Sequence, residues 1–142
     1  MSETRKLAAI LVADIVGYSR LASADEDRIL ARLRTLRSDL IDPTVAVHRG
    51  RIVKRTGDGS VVEFRSVVDA VRCAIEVQSG LAERNAGLPP EKRIEFRVGI
   101  HLGDVVEEAD GGRVTLKFNV KDLGACMHAL TSSTTLSNRG TA

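Results

Sequence analysis

Aromatic residues are scarce in this sequence: its 142 residues include three Phe, one Tyr and no Trp. So few aromatic side chains provide no platform on which nucleic-acid bases could stack. The 21 basic and 19 acidic residues are intermixed and leave a formal charge of +2, without a polybasic run. The composition therefore gives no sign of a nucleic-acid-binding or membrane-surface protein.

Cysteine and long apolar segments are scarce as well. Cys73 and Cys126 lie far apart without CxxC or His-ligand spacing, which favours two reduced, core-packed thiols over a disulfide or a zinc site. No segment approaches the ~20 apolar residues that cross a membrane, and the first residues, MSETRK, lack the apolar stretch of a signal peptide. We therefore expect a cytoplasmic protein with no membrane segment and no nucleic-acid partner.

The sequence does contain clear strand patterns, and its length and 43% hydrophobic content fit one domain over residues 1–142. Residues 7–15, LAAILVADI, are almost continuously apolar, which is typical of a central strand covered on both faces. Residues 51–55 and 60–64 predict two short strands around a Gly-Asp-Gly turn. Residues 94–102 alternate and predict a strand with one buried face. The apolar positions of this last strand are Ile94, Phe96, Val98, Ile100 and Leu102.

Two amphipathic helices are also predicted. Ser23 and Glu26 have the spacing of a capping box, and Asp42-Pro43 disfavours straight continuation of the helix that follows. The apolar stripe of this first helix is Ile29, Leu33, Leu36 and Leu40. Ser66 starts the second helix, which ends at the segment NAGLPPEK. Its inner stripe is Val67, Val71, Ala74, Val77 and Leu81.

The element order β, α, β, β, α, β predicts an α+β fold of the split βαβ, or ferredoxin-like, type. In this arrangement two helices cover one face of an antiparallel sheet. The first and third strands are its usual central neighbours, so Asp14 at the end of the first strand could meet Asp58 in the hairpin. Two such carboxylates suit Mg²⁺ or Mn²⁺, and two ions ~3.5–4 Å apart support in-line displacement at phosphorus. A Gly-Asp-Gly sequence alone, however, is more typical of a simple hairpin turn.

Three segments carry a resemblance to a known family. LVADIVGYSRL, KRTGDGSVVEF and FRVGIHLGDVV occur in this order, and together they resemble the first part of a class III adenylate/guanylate cyclase catalytic domain. The likeness covers residues 5–108, and three ordered motifs are far more specific than any one of them. The resemblance implies that Asp14 and Asp58 bind two Mg²⁺ or Mn²⁺ ions, with the carbonyl of Ile15 as a further ligand.

The resemblance also assigns residues to the nucleotide. It implies that the backbone amides of Val16, Gly17 and Tyr18 hold the terminal phosphates, where a glycine permits close approach of the backbone. Arg97 matches an arginine that contacts the triphosphate near the metals. Lys54 matches the lysine that reads adenine in adenylate cyclases, which favours ATP over GTP. The implied activity is conversion of ATP to 3′,5′-cyclic AMP and pyrophosphate in a head-to-tail homodimer, for cyclic-nucleotide signalling.

The C-terminal tail, residues 111–142, departs from the family pattern. Such cyclases continue with a base-contacting Asp or Thr and with an Asn followed four positions later by an Arg. Here Gly112 takes the place of the base-contacting residue, and Asn119 is followed four positions later by Leu123. Natural divergence, truncation and an altered reading frame all fit this tail.

The sequence therefore leaves three functional hypotheses. The first is an adenylate cyclase domain that is impaired in this form. The second is a degenerate cyclase homology domain that binds nucleotide, or dimerises and regulates, without turnover. The third is an unrelated ferredoxin-like module with incidental carboxylates.

Overall fold

A computed structural model describes residues 2–55, 59–110 and 113–117 of the chain. These residues form five β-strands and three α-helices, connected in part by a π turn and a 3₁₀ turn. In chain order the elements are β1 Ser2–Ile15, α1 Tyr18–Leu36, the π turn Arg37–Ile41, α2 Asp42–Val47, β2 Arg51–Arg55, β3 Gly59–Phe64, α3 Val67–Asn85, the 3₁₀ turn Pro90–Lys92, β4 Phe96–Asp110 and β5 Arg113–Lys117.

The five strands form one sheet in the order β2-β3-β1-β4-β5, and every neighbouring pair is antiparallel. The central strand β1 pairs with β3 from Ala9 to Asp14 and with β4 along its whole length. The predicted α+β, ferredoxin-like arrangement is thus confirmed, including the first and third strands as neighbours. Strand β5 is an addition that the sequence analysis missed.

The helices lie on one face of the sheet, and the main core fills the space between the helices and the sheet. Alternate β1 residues Ala9, Leu11 and Ile15 point into this core. The core residues contributed by helices and by the π turn include Leu21, Ile29, Leu33, Leu36, Leu40, Ala70, Cys73, Ala74 and Leu81. Burial raises the pKa of the Cys73 thiol to about 12, so this thiol stays protonated and packs as an apolar group. The core-packing interpretation is confirmed for Cys73, whereas Cys126 lies outside the described residues.

The opposite side of the sheet, which we call the second face, carries the other alternate residues. Ala8 and Ile10 of β1 and Val105 of β4 form a small buried cluster there, and Val12 and Val61 pack against it. The charged residues Lys6 and Asp14 of β1 belong to the same alternating set. Strand β1 therefore has buried residues on both faces, as its continuous apolar sequence predicts.

Two predicted burials are wrong near the other end of β1. Leu7 is 66% exposed and Leu102 is 50% exposed, although the apolar patterns predict that both are covered. In the described part of the chain, strand β3 pairs with β1 only from Ala9 onward, so β1 residues before Ala9 have no paired strand on that side among these residues. Leu7 thus lies beyond the part of β1 that pairs with β3, and Leu102 is opposite Ala9 at the edge of that part.

The first helix begins earlier than predicted. It starts at Tyr18, and the hydroxyl of Ser23 donates to the carbonyl of Arg20 instead of capping a helix end. The backbone of Asp25 is extended, with φ −166° and ψ 92°, and its carboxylate accepts the N–H of Arg28. Asp25 therefore caps the longer part of the helix, and the predicted Ser23–Glu26 capping box is wrong.

The same helical segment also passes through Asp42-Pro43. The wider π turn, Arg37–Ile41, ends just before this pair, and α2 begins at Asp42. Pro43 then lies in the first turn of α2, where an N–H would have no intrahelical partner. The chain thus continues as a helix after a local change of geometry.

The second predicted helix, α3, begins as expected. The side chain of Ser66 accepts the N–H of Asp69 at 3.1 Å. Near its other end, the Asn85 side chain donates a hydrogen bond to the carbonyl of Ile94 and accepts one from the N–H of Ile94. Gln78 donates to the carbonyl of Phe96 at 3.0 Å. These contacts fix the start of β4, where Arg97 lies.

Candidate functional site

The C-terminal end of β1 places two oppositely charged site residues together. Asp14 and Arg97 are directly opposite in the β1–β4 register. Arg97 Nε donates to Asp14 Oδ1 and Arg97 Nη2 donates to Asp14 Oδ2, both at 2.9 Å. This is a bidentate ion pair, in which both carboxylate oxygens accept a charged donor. The Asp14 side chain is 26% exposed and that of Arg97 is 38% exposed, so both remain within reach of a ligand from solvent.

Strand alternation explains why this pair lies on the second face. Ala13 and Ile15 point to the main core, and Asp14 between them must point the other way. On β3 the residue opposite Asp14 is Gly59, which has no side chain. The β3 side of the carboxylate is therefore not covered by a cross-strand side chain.

The turn after β1 contains the three residues that were predicted to hold phosphates. The N–H of Val16 donates to the carbonyl of Glu95 at 2.8 Å, so it would have to leave this partner to reach a ligand. Gly17 is the N-cap of α1 and has φ 65° and ψ 37°. A Cβ at Gly17 would meet nothing closer than Arg20 Nε at 3.6 Å. Its left-handed backbone conformation, and not lack of space, is therefore what favours glycine here.

The start of α1, four residues after Asp14 in the sequence, presents backbone donors that have no partner within the helix. Leu21 is the first residue whose N–H bonds within the helix, to Gly17 O at 3.1 Å. The N–H groups of the preceding first-turn residues have no acceptor within the helix, and together with the helix dipole they favour an anion. The Tyr18 side chain packs against the main core, which fixes the backbone of this turn. The phosphate-binding role of the Gly17 and Tyr18 amides stays a prediction.

Lys54 reaches the second face through a β-bulge. Ile52 is opposite Val62 and packs on the main core, but Lys54 is opposite Val61, so the register shifts by one residue between them. Val61 is itself opposite Val12 on β1. The bulge therefore turns Lys54 to the same face as Asp14, two strands away. The sequence analysis assigned Lys54 to the nucleotide but did not predict the bulge that orients it.

The second predicted metal ligand, Asp58, lies outside the described residues. Its neighbour in sequence, Gly59, begins β3 opposite Asp14. Among the residues that the structure describes, no three His, Cys, Asp or Glu side chains group closely enough to hold a metal ion. The donors at the end of β1 are the carboxylate of Asp14 and the main-chain carbonyl of Ile15, and such oxygen ligands fit Mg²⁺ or Mn²⁺. The tail residues Gly112, Asn119 and Leu123 also fall outside the described ranges.

A second charged group lies at the other end of the same face, and sequence reasoning missed it. We call it the ionic quartet: Lys6, Arg51, Glu63 and Glu107. Lys6 Nζ is 2.9 Å from Glu63 Oε2 and 3.2 Å from Glu107 Oε1, and Arg51 Nη2 is 2.7 Å from Glu63 Oε1 and also contacts Glu107. Each carboxylate thus meets both cations, across four strands.

The quartet changes the proton affinities of its members. Arg51 first and Lys6 second hold the pKa of Glu107 below its ordinary value. Glu63, followed by Glu107, raises the pKa of Lys6. Glu63 is 9% exposed, and its two cations offset the cost of burying that charge. No pattern in the sequence joins these residues, because Lys6 and Glu107 are 101 positions apart.

Comparison with known proteins adds family information to this geometry. The family model described as the adenylate and guanylate cyclase catalytic domain matches residues 1–132. A putative adenylate cyclase 3 of Rhizobium meliloti (strain 1021) is 49% identical over 107 residues, which are 75% of this chain and 18% of that protein. A serine/threonine-protein kinase pkn2 of Myxococcus xanthus is 32% identical over 101 residues, which are 71% of this chain and 12% of the kinase. The chain thus spans less than a fifth of these two curated relatives.

A solved structure extends the comparison to three dimensions. The crystal structure of an adenylate/guanylate cyclase/hydrolase from Silicibacter pomeroyi superposes with a TM-score of 0.76 and 38% sequence identity. The match covers 89% of this chain and 70% of the other. In the described part of the chain, the helices are too short or too polar to cross a membrane.

Proposed function

Because the chain belongs to the family of adenylate and guanylate cyclase catalytic domains, we propose that it converts ATP to 3′,5′-cyclic AMP and pyrophosphate. The observation that carries this proposal is the end of β1, where Asp14 and Arg97 form a bidentate pair and the chain continues through Gly17 into the start of α1. A carboxylate for metal ions, a fixed cation and free amides for phosphates are what nucleotide cyclisation requires. The domain would work in the cytoplasm, in cyclic-nucleotide signalling.

The metal-binding part of the proposed site consists of Asp14, Asp58 and the carbonyl of Ile15. Two Mg²⁺ or Mn²⁺ ions held there would lower the pKa of the ribose 3′ hydroxyl and neutralise charge on the leaving pyrophosphate. The protein itself supplies no nucleophile, because the attacking oxygen belongs to the substrate. Its carboxylates fix the geometry in which the hydroxyl lies in line with the α-phosphorus.

The nucleotide-binding part of the proposed site consists of positively charged side chains and backbone N–H donors. Arg97 binds the triphosphate through its planar guanidinium, and the amides of Gly17 and Tyr18 point at the terminal phosphates. Val16 joins them if its N–H exchanges Glu95 for phosphate. Lys54 donates to the adenine edge, which favours ATP over GTP.

A homodimer completes the proposed site. Lys54 lies two strands away from Asp14 on the second face, so in one chain the residue that reads the base stands apart from the metal ligand. In a head-to-tail dimer, Lys54 of one subunit would complete the site that Asp14 of the other begins. A monomeric chain would accordingly be inactive.

The tail sets the expected rate. With Leu123 four positions after Asn119, charge that develops at the α-phosphate lacks the fixed arginine that this family places there. Loss of one positioned donor or cation costs about 10²–10³ in turnover. We therefore propose a slow cyclase. The same feature supports a second candidate, a cyclase homology domain that binds nucleotide and regulates through dimerisation without turnover.

Cyclic AMP formation from ATP with Mn²⁺ tests this proposal. The chain is compared with a version whose tail carries Asn and Arg four positions apart in a family-like segment, at a concentration where sedimentation shows dimers. We expect slow, metal-dependent turnover by the chain, and a rate about 10²-fold higher for the repaired version. Equal rates would refute the role given to the tail. No product from either version, together with intact nucleotide binding, would favour the regulatory candidate.

A further inference from the structure

The two residues of the Asp14–Arg97 pair have opposite partners in the proposed function, yet they bind each other. Asp14 would bind a divalent cation and Arg97 would bind a triphosphate, but here both Asp14 oxygens accept Arg97 donors at 2.9 Å. We propose that Arg97 competes internally with the metal for Asp14, and that Asp14 competes with the triphosphate for Arg97. Metal and triphosphate would then bind by exchanging partners with this pair. The inference rests on the proposed function.

Electrostatic interactions explain why the pair opposes the binding of either ligand alone. A metal ion that arrives alone must displace the guanidinium from Asp14, and it then lies next to the positive charge of Arg97. A triphosphate that arrives alone must draw Arg97 away, and it then lies next to the negative charge of Asp14. When both ligands arrive, each side chain exchanges one opposite charge for another. Each ligand therefore raises the affinity for the other by the same factor.

The local structure permits the exchange with little movement. Asp14 lies on the central strand and Arg97 on its neighbour β4, where two α3 side chains hold the adjacent backbone. The strands therefore stay in place while the side chains change rotamers. Gly59 leaves the β3 side of Asp14 without a cross-strand side chain, so a metal ion can approach from there.

Two titrations, each with one ligand, test this competition without metal–nucleotide complexes in solution. In the first, electron paramagnetic resonance measures the binding of Mn²⁺ alone to the chain and to Arg97→Gln. Removal of the competing cation should raise the affinity for Mn²⁺ about fivefold. Arg97→Lys keeps the charge but loses the bidentate contact, so its affinity should fall between the two. Arg72→Gln removes an exposed arginine from α3, on the helix side, and should leave Mn²⁺ affinity unchanged.

In the second titration, calorimetry with a chelator measures an ATP analogue that lacks the 3′ hydroxyl, in the absence of metal. Asp14→Asn removes the competing carboxylate and should raise the affinity for this metal-free analogue about fivefold. Circular dichroism confirms that each variant keeps the fold. A purely structural ion pair predicts the opposite trend, since its loss would loosen the site and weaken both ligands.

The outcomes separate this inference from the function on which it rests. If the unmodified chain binds Mn²⁺ with the analogue, but Arg97→Gln and Arg97→Lys bind Mn²⁺ alone no better than it does, the competition is refuted and the proposed site stands. If the chain binds neither ligand, alone or together, the proposed function and the inference are both overturned. Higher affinity of each variant for its single ligand supports the exchange.

Discussion

Two groups of charged side chains lie at opposite ends of the second face, and their contacts differ more than their exposure. In the ionic quartet each carboxylate meets both cations. At the other end, the described contacts of the Asp14 carboxylate are two bonds from one guanidinium. Lys6 and Asp14 are eight residues apart on β1, or about 26 Å at about 3.3 Å per residue. The side chains of Lys6 and Arg97 are 35% and 38% exposed, so the exposure of these two cations does not distinguish the two ends.

The difference lies in what a ligand would gain at each end. A metal or phosphate that enters the quartet must break a closed set of four ion pairs across four strands. At Asp14, an ion meets a carboxylate whose described partner is one guanidinium, with a glycine opposite it on β3 and a helix that begins four residues later. A charged network that is closed on itself holds strands together, whereas a partly exposed ion pair near a helix N-terminus is suited to exchange. We therefore interpret the quartet as structural and the Asp14 end as the functional site.

The largest expected contrast is in turnover. Asp14→Asn should lower metal-dependent cyclic AMP formation by about 100-fold or more, because a carboxylate ligand of the metal is lost. Glu63→Gln, at the quartet, should leave the rate per dimer unchanged. The assay uses the tail-repaired version, whose higher rate makes the loss measurable. Similar losses in both variants would break the distinction between the two ends.

The next contrast is in stability and has the reverse order. Glu63→Gln leaves Lys6 and Arg51 with Glu107 alone and should lower the free energy of unfolding by about 2 kcal/mol. Asp14→Asn breaks a partly exposed pair and should cost about 1 kcal/mol or less. Urea unfolding of both variants measures the two values. A larger loss for Asp14→Asn than for Glu63→Gln would contradict the structural role of the quartet.

A smaller effect is expected on base choice. Lys54→Glu replaces a donor by an acceptor and should reduce the preference for ATP over GTP several-fold, with little change in metal affinity. Competition binding with Mn²⁺ and both nucleotides measures the preference. Lys92→Glu, which reverses an exposed lysine of the 3₁₀ turn, is the matched control. Equal affinity of the unmodified chain for ATP and GTP would reject the role of Lys54.

The smallest effect concerns acid stability at the quartet. The folded-state pKa of Glu107 is lowered by Arg51 and then by Lys6, so the stability that Glu107 contributes is complete above its ordinary pKa of 4.5. This contribution is lost as the pH falls through the lower folded-state pKa. Glu107→Gln should therefore flatten the decline of unfolding free energy below about pH 4.5. An unchanged slope would show that Glu107 carries no such coupling.

The fold was largely predictable because it depends on local patterns. The alternation over residues 94–102 and the apolar run at 7–15 both predicted strands, and Ser66 marked the start of α3. Where the structure differs from the prediction, a contact or a backbone geometry that the sequence pattern does not contain determines the local structure. The start of the first helix depends on the turn at Gly17, and the passage through Pro43 depends on a π turn.

The residues proposed for the site came from the sequence, whereas their contacts could not be predicted from it. The motifs identified Asp14, Arg97 and Lys54 by resemblance. The pairing of Asp14 with Arg97 follows from the register of strands 83 positions apart, and the orientation of Lys54 depends on the bulge after Ile52. A sequence pattern carries neither register nor bulge. The ionic quartet was missed for the same reason.

The most direct test of the central claim, that the end of β1 is a metal–nucleotide site, is the melting temperature of the chain with Mn²⁺ and the ATP analogue that lacks the 3′ hydroxyl. A ligand that binds only the folded state raises this temperature. We predict a clear rise for the unmodified chain and for Glu63→Gln, and none for the variant with both Asp14→Asn and Asp58→Asn. An equal rise in the double variant would contradict the account, because the ligand would then bind elsewhere.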